Sequence, residues 1–164
     1  MRSQGRVRQD RSMPRAAMPF WDPERLRRIR AERGLTMIAL AARADLEYGQ
    51  VKRYSLGLAT PPPHALVQLA RALGVPTTEL APLSTDPDLS EYRWHAGLQI
   101  DELAQRVDLS AAYVGEIVRG AGRISDPQRW ADALGITTEQ LHAAAASSRR
   151  RLRGEDGTTD DGGQ

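Results

Sequence analysis

Apolar residues recur at helical spacing through most of the chain. Leu26 and Ile29, then Leu40 and Ala41, then Val51 and Tyr54, then Leu66, Leu69, Ala70 and Leu73 each mark one face of a short helix. The residues between these faces punctuate them. Asp22-Pro23-Glu24 offers a capping aspartate, a proline at the first helical position and a carboxylate at the positive end of the helix dipole. A first helix is predicted from there to about Arg33, with Gly34 as its stop. Thr36 is placed to cap a second helix ending near Ala44. Asp45 takes the left-handed turn position, which aspartate tolerates better than most residues with a side chain. A third helix spans about Tyr48 to Leu56 and closes at Gly57. The prolines at 61, 62 and 63 form a rigid connector whose last member opens a fourth helix, Gly74 ends that helix, and Thr77 is placed to cap a short fifth.

The whole plan occurs twice. Displaced by 63 positions, Leu26, Arg30, Gly34, Leu35, Leu40, Ala41, Arg43, Asp45, Leu46, Val51 and Gly57 fall on identical residues between Leu89 and Gly120. Past that glycine the displacement is 61, and Ala70, Ala72, Leu73, Gly74, Thr77 and Leu80 fall on Ala131, Ala133, Leu134, Gly135, Thr138 and Leu141. The second copy has lost two residues from one loop. A period of about 60 residues exceeds that of a solenoid unit, so each copy is expected to be a small domain. The expected class is all-α: two tandem five-helix domains at 22–82 and 83–146. Flanking them, residues 1–21 form a basic flexible tail and residues 147–164 a second flexible tail.

Charge separates the two copies. Residues 1–21 hold five arginines against one aspartate, and residues 22–82 nine basic against six acidic residues, so both are positive, at +4 and +3. Residues 83–146 hold five arginines against ten acids, −5, and residues 147–164 are balanced. The front half therefore suits a polyanion and the back half does not. No apolar stretch approaches the roughly 18 residues of a membrane span, and the N-terminal arginines are not followed by the apolar core of a secretory signal. The absence of cysteine fits a reducing compartment. A cytoplasmic protein is expected, and the near-exclusive use of arginine over lysine fits a GC-rich bacterial genome.

The string GLTMIALAARADLEYGQVKRYSLGL at 34–58 resembles the helix-turn-helix of the phage-repressor-like (Cro type) family. GLQIDELAQRVDLSAAYVGEIVRG at 97–120 resembles it again without a gap. With the flanking helices the resemblance covers about residues 22–144. Ala41 and Ala104 are small where the second and third helices approach, and Val51 and Val114 seal their junction. Both copies depart from the family pattern, with aspartate where glycine is commonest in the turn and with Met37 and Ile100 where a glutamine is common. The resemblance implies double-stranded DNA as partner and a role in transcription; repression is expected from the architecture, since a compact two-domain binder without a sensor region can act by occupying a promoter. About 100° per residue from Val51 and Tyr54, the third helix turns Gly49, Lys52 and Arg53 outward, with Tyr48 and Gln50 beside them. Arg53 can fork onto guanine, Gln50 can address adenine, and Lys52 and Tyr48 can hold phosphates. Thr36 completes the expected DNA contacts.

In the second copy the same face presents Ala111, Ala112, Tyr113, Gly115 and Glu116, with Arg119 further on, and offers few donors. That face is expected to contact protein, as a homodimer or with another partner, or to contribute weakly to DNA. An adaptor or antitoxin-like module is the alternative reading. No catalytic constellation, phosphate-binding loop or nucleophile elbow is present. His64, His95 and His142 lack ligand spacing. Neither a metal nor a cofactor is expected, and the chain is not read as an enzyme.

Overall fold

The computed structural model describes residues 20–154. Among them there are ten helices and no strand: α1 (Pro23–Glu32), α2 (Met37–Ala44), α3 (Tyr48–Ser55), α4 (Pro63–Leu73), α5 (Thr77–Leu80), α6 (Leu89–His95), α7 (Ile100–Val107), α8 (Ala111–Arg119), α9 (Pro127–Leu134) and α10 (Thr138–Leu152). The local chemistry sets their ends. The Asp22 carboxylate accepts from the Glu24 amide at 2.9 Å, and the Thr36 hydroxyl accepts from the Ala39 amide at 3.1 Å. Asp45 and Asp108 both adopt the left-handed conformation, with φ of 54° and 58°. Thr77 departs from expectation. The proline before it, extended at φ −62° and ψ 152°, is the N-cap of α5, and the Thr77 hydroxyl lies instead 2.7 Å from Nδ1 of His95 on α6.

Two buried clusters underlie the two runs of helices. The first runs from Leu26 to Ala81 and includes Leu40, Val51, Leu66 and Leu69. The second runs from Leu89 to Ala145 and includes Leu103, Val114, Ile117 and Trp130. Trp130, 1% exposed, fills the place of Leu69. Arg30 and Arg93, matched in the repeat, make matching bonds: each guanidinium donates to the carbonyl five residues ahead, of Leu35 at 2.7 Å and of Leu98 at 2.8 Å. These two arginines fasten the loop after α1 and after α6.

Both expected tail boundaries fall inside the packed structure. Trp21 packs against the first cluster, and its indole donates to the Tyr54 carbonyl at 3.4 Å. α10 continues through Leu152. Its counterpart α5 halts at Leu80 because the next residue but one is Pro82, which disfavours helical backbone in the residue before it. Ala143 stands at the matching place, and alanine and arginine are strong helix formers, so nothing stops the second helix. Residues 1–19 and 155–164, the rest of the two expected tails, lie outside the described residues.

The extra turns of α10 fasten the segment between the two halves. Buried Ser148 accepts from the Leu89 amide at 3.2 Å, and Ser147 donates to the Asp86 carbonyl at 2.9 Å. Arg150 pairs with Asp86 at 2.6 Å, holding that carboxyl below its ordinary range. Arg151 pairs with Asp88 and, at 3.3 Å, with Glu91. Glu91 is only 3% exposed and also accepts from the Ser84 amide and hydroxyl at 2.9 and 2.7 Å. A carboxylate so buried requires these partners. This helix also alters the charge of the second half, because residues 83–154 hold nine arginines against ten acids. The half is close to neutral.

The halves meet where α6 lies on α4. Trp94 packs against the first cluster. Gly97 lies close enough to α4 that a Cβ there would stand 2.8 Å from Cγ2 of Val67. His95 is half-buried at the same junction, and burial pushes its imidazole pKa down, partly offset by Glu91. Gly34, the repeat partner of Gly97, has φ +65° against +73°, but a Cβ on Gly34 would meet nothing within 4 Å. This pair isolates the contact. Gly34→Ala is expected to cost about 1–2 kcal/mol for left-handed backbone alone. Gly97→Ala should cost about 1–3 kcal/mol more, because β-branched Val67 cannot swing clear. Equal losses in denaturant unfolding would show that the α4–α6 contact yields without cost.

The imidazole supplies a second expectation. Its folded-state pKa lies below the unfolded value, so the unfolded chain binds the proton first and stability falls as pH drops below about 6.5, by at most about 1.4 kcal/mol per pH unit. Unfolding at pH 7.5 and 5.5 should show a larger loss in the native chain than in His95→Gln. Equal losses would remove His95 as the source.

Candidate nucleic-acid interface

α3 is seated by its own sequence. Val51 is fully buried and Tyr54 is 6% exposed, and the helix packs against α2 and α1. Burial raises the Tyr54 phenol pKa, with Arg53 opposing. The C-terminal carbonyls of α3 are held from outside the helix: the Trp21 indole reaches that of Tyr54 and the Arg27 guanidinium that of Ser55. Arg25 likewise donates to the Glu79 carbonyl at 3.3 Å. Several arginines of α1 thus hold backbone in place. Their spacing alone carried no signal of this.

With its inner face fixed, α3 turns Tyr48, Gly49, Gln50, Lys52 and Arg53 to solvent. Tyr48 is 47% exposed, and a Cβ on Gly49 would meet nothing within 4 Å. Neither Lys52 nor Arg53 has an acidic partner among the described residues. Thr36 is exposed at the start of α2. The six residues singled out in the first copy therefore lie on exposed positions of α3 and at the N-terminus of α2. Residues 24–83 match the family model of a helix-turn-helix domain. The match spans α1 to α5 and so contains this face, whose donors suit phosphate and base edges. No curated protein and no solved structure matches the chain. Among the described residues, no helix is long and apolar enough to cross a membrane, and no cluster of metal-ligating side chains occurs.

The matching surface in the second half is differently built. Ala112, Tyr113, Glu116 and Arg119 are exposed, and Ala111 and Gly115 are half-buried. The Tyr113 hydroxyl donates to the Arg123 carbonyl at 3.2 Å. A Cβ on Gly115 would stand 3.6 Å from Nη1 of Arg119, so that side chain lies along the small residues. α8 is anchored at its end as well: Gly120 is left-handed, and a Cβ there would meet the Ser148 carbonyl of α10 at 2.5 Å.

The two third helices also differ at their starts. Ser110 accepts from the Tyr113 amide at 3.2 Å, whereas Glu47 makes no such bond. Removing the cap by Ser110→Ala should cost about 1 kcal/mol, and supplying one by Glu47→Ser should gain about 0.5 kcal/mol after loss of the favourable carboxylate–dipole contact. Thermal unfolding of both variants checks this. A destabilised Glu47→Ser chain would mean that the carboxylate does more at that helix start than the cap can replace.

Proposed function

We propose that the chain is a sequence-specific DNA-binding regulator of transcription that acts as a repressor. It reads the major groove chiefly with α3, and its two halves are tandem helix-turn-helix domains of the phage-repressor-like type. The observation that carries this reading is the exposed, unpaired Gln50/Lys52/Arg53 edge on the third helix of the matched domain. The repeat in sequence and the parallel turns at Asp45 and Asp108 support the tandem assignment. Repression is the simplest action for a binder that occupies a promoter.

The second half contributes less to base readout, because Glu116 stands where the first has Arg53 and the Tyr113 hydroxyl is engaged with the Arg123 carbonyl. Its near-neutral balance leaves it free to lie beside DNA without strong repulsion. The adaptor reading, in which α8 meets a protein partner or a second copy, is favoured by the scarcity of donors on that face.

Selection of bound duplexes from a random pool tests the proposal, and a recurring motif is expected. On that duplex Arg53→Ala should weaken binding by about 1–3 kcal/mol and relax preference at one position. Lys52→Ala should weaken all duplexes alike and reduce the salt slope by about 0.9. No enrichment from the pool would leave the adaptor as the better account. An Arg53→Ala chain with unchanged preference would remove that residue from the readout.

A further inference from the structure

Between the two halves lies a half-open cleft of about 1090 Å³, roomy for a small molecule, and such sites favour junctions of this kind. Leu58, Ala59, Thr60 and Pro62 of the connection between α3 and α4, with Pro63 at the start of α4, form one side. Arg93 and Trp94 of α6, Gln99 and Ile100 at the start of α7 and Arg119 at the end of α8 form the other. Arg93 is unusual for a guanidinium. It is desolvated enough that its pKa is pushed down, and it sits 5.9 Å from the centre of the Trp94 ring. Beyond its bond to the Leu98 carbonyl it makes no ion pair among the described residues, and neither does Arg119. A largely desolvated cation whose desolvation is only partly offset by Asp88, a carboxylate engaged with Arg151, is costly. Arg30 makes the matching backbone bond in the first half, but Ala31 stands there in the place of Trp94, so the repeat position in the first half lacks the pairing of cation and indole.

We propose that this cleft binds a small organic anion with a flat apolar body. Its carboxylate or phosphate would meet Arg93 and Arg119, the Gln99 amide would add a neutral donor, and its ring would lie against Trp94 and Ile100. An inorganic anion has the charge without the body. A backbone phosphate of DNA has the charge without an adjoining flat apolar group. The cleft offers a complement to both parts of one molecule. Binding here stands apart from the DNA reading, since it is measured without DNA.

The test follows the tryptophan indole N–H signals of the whole chain by NMR, with that of Trp94 assigned through Trp94→Phe. The probes are 2-naphthoate, its neutral analogue 2-naphthamide and inorganic phosphate. The expected result is a saturable shift of Trp94 with 2-naphthoate at a Kd of about 1 mM or tighter, with little response to the other two. Arg119→Gln, which removes no bond to the backbone, should weaken it about fivefold or more, as loss of a charge-assisted contact does. Arg93→Lys keeps the charge but loses the fork that also holds the Leu98 carbonyl, and serves as a second variant expected to weaken binding. No shift, equal binding of the amide, an equal effect of phosphate alone, or unchanged affinity in Arg119→Gln would each overturn the proposal. So would a silent Trp94 combined with an Arg119→Gln chain that binds every duplex more weakly and with a shallower salt slope. That outcome assigns the cleft to DNA phosphate.

Discussion

Burial of Val51 and Tyr54 on one side of an eight-residue helix is the constraint on which the rest depends. A helix this short has little stability of its own in water, so α3 exists because its inner face is held by α1 and α2. Fixing that face decides the other. With Val51 inside, Gly49, Lys52 and Arg53 must point outward, and the short turn at Asp45 sets the angle at which they project. The donors from Trp21 and Arg27 then hold the far end of the helix, so the angle is set at both ends.

The second half differs in how its helices are held and in what they present. α8 is better capped than α3, and its left-handed C-terminus is locked by the backbone of α10. Its outer face is nonetheless poor in donors. The extra length of α10 binds Asp86, Asp88 and Glu91 through arginines, which anchors the segment between the halves and removes most of the negative balance of that half. With α6 pressed on α4, whatever α8 contributes is delivered from a fixed position relative to α3.

Much of this could be read from the residues. Asp22-Pro23 marked the start of α1, Asp45 and Asp108 marked the turns, and the Val51/Tyr54 pair oriented the outer face, because each depends on local backbone chemistry or on periodicity. The repeat exposed Arg30 and Arg93 as a matched pair, though only the structure shows the carbonyls they hold. Features that depend on contacts distant in the chain were not legible. The run from Ser147 to Arg151 lacks the spaced apolar stripe of a packed helix, since its buried positions are Ser147 and Ser148, and it read as a tail. Charge counted up to residue 146 consequently overstated the acidity of the second half. Thr77 resembled a cap by composition, yet the rigid proline before it took that position and freed its hydroxyl for His95. Nor did Trp94 announce that it would leave its own half to pack on the other.

The most direct test of the central claim, that α3 enters the major groove, uses the absence of native cysteine. A DNA-cleaving iron chelate attached at Tyr48→Cys, and separately at Ala112→Cys, maps each third helix on a bound duplex. The account predicts strong cleavage confined to a few base pairs from position 48 and weaker cleavage displaced along the duplex from position 112. Localised cleavage from position 112, with none from position 48, would contradict it.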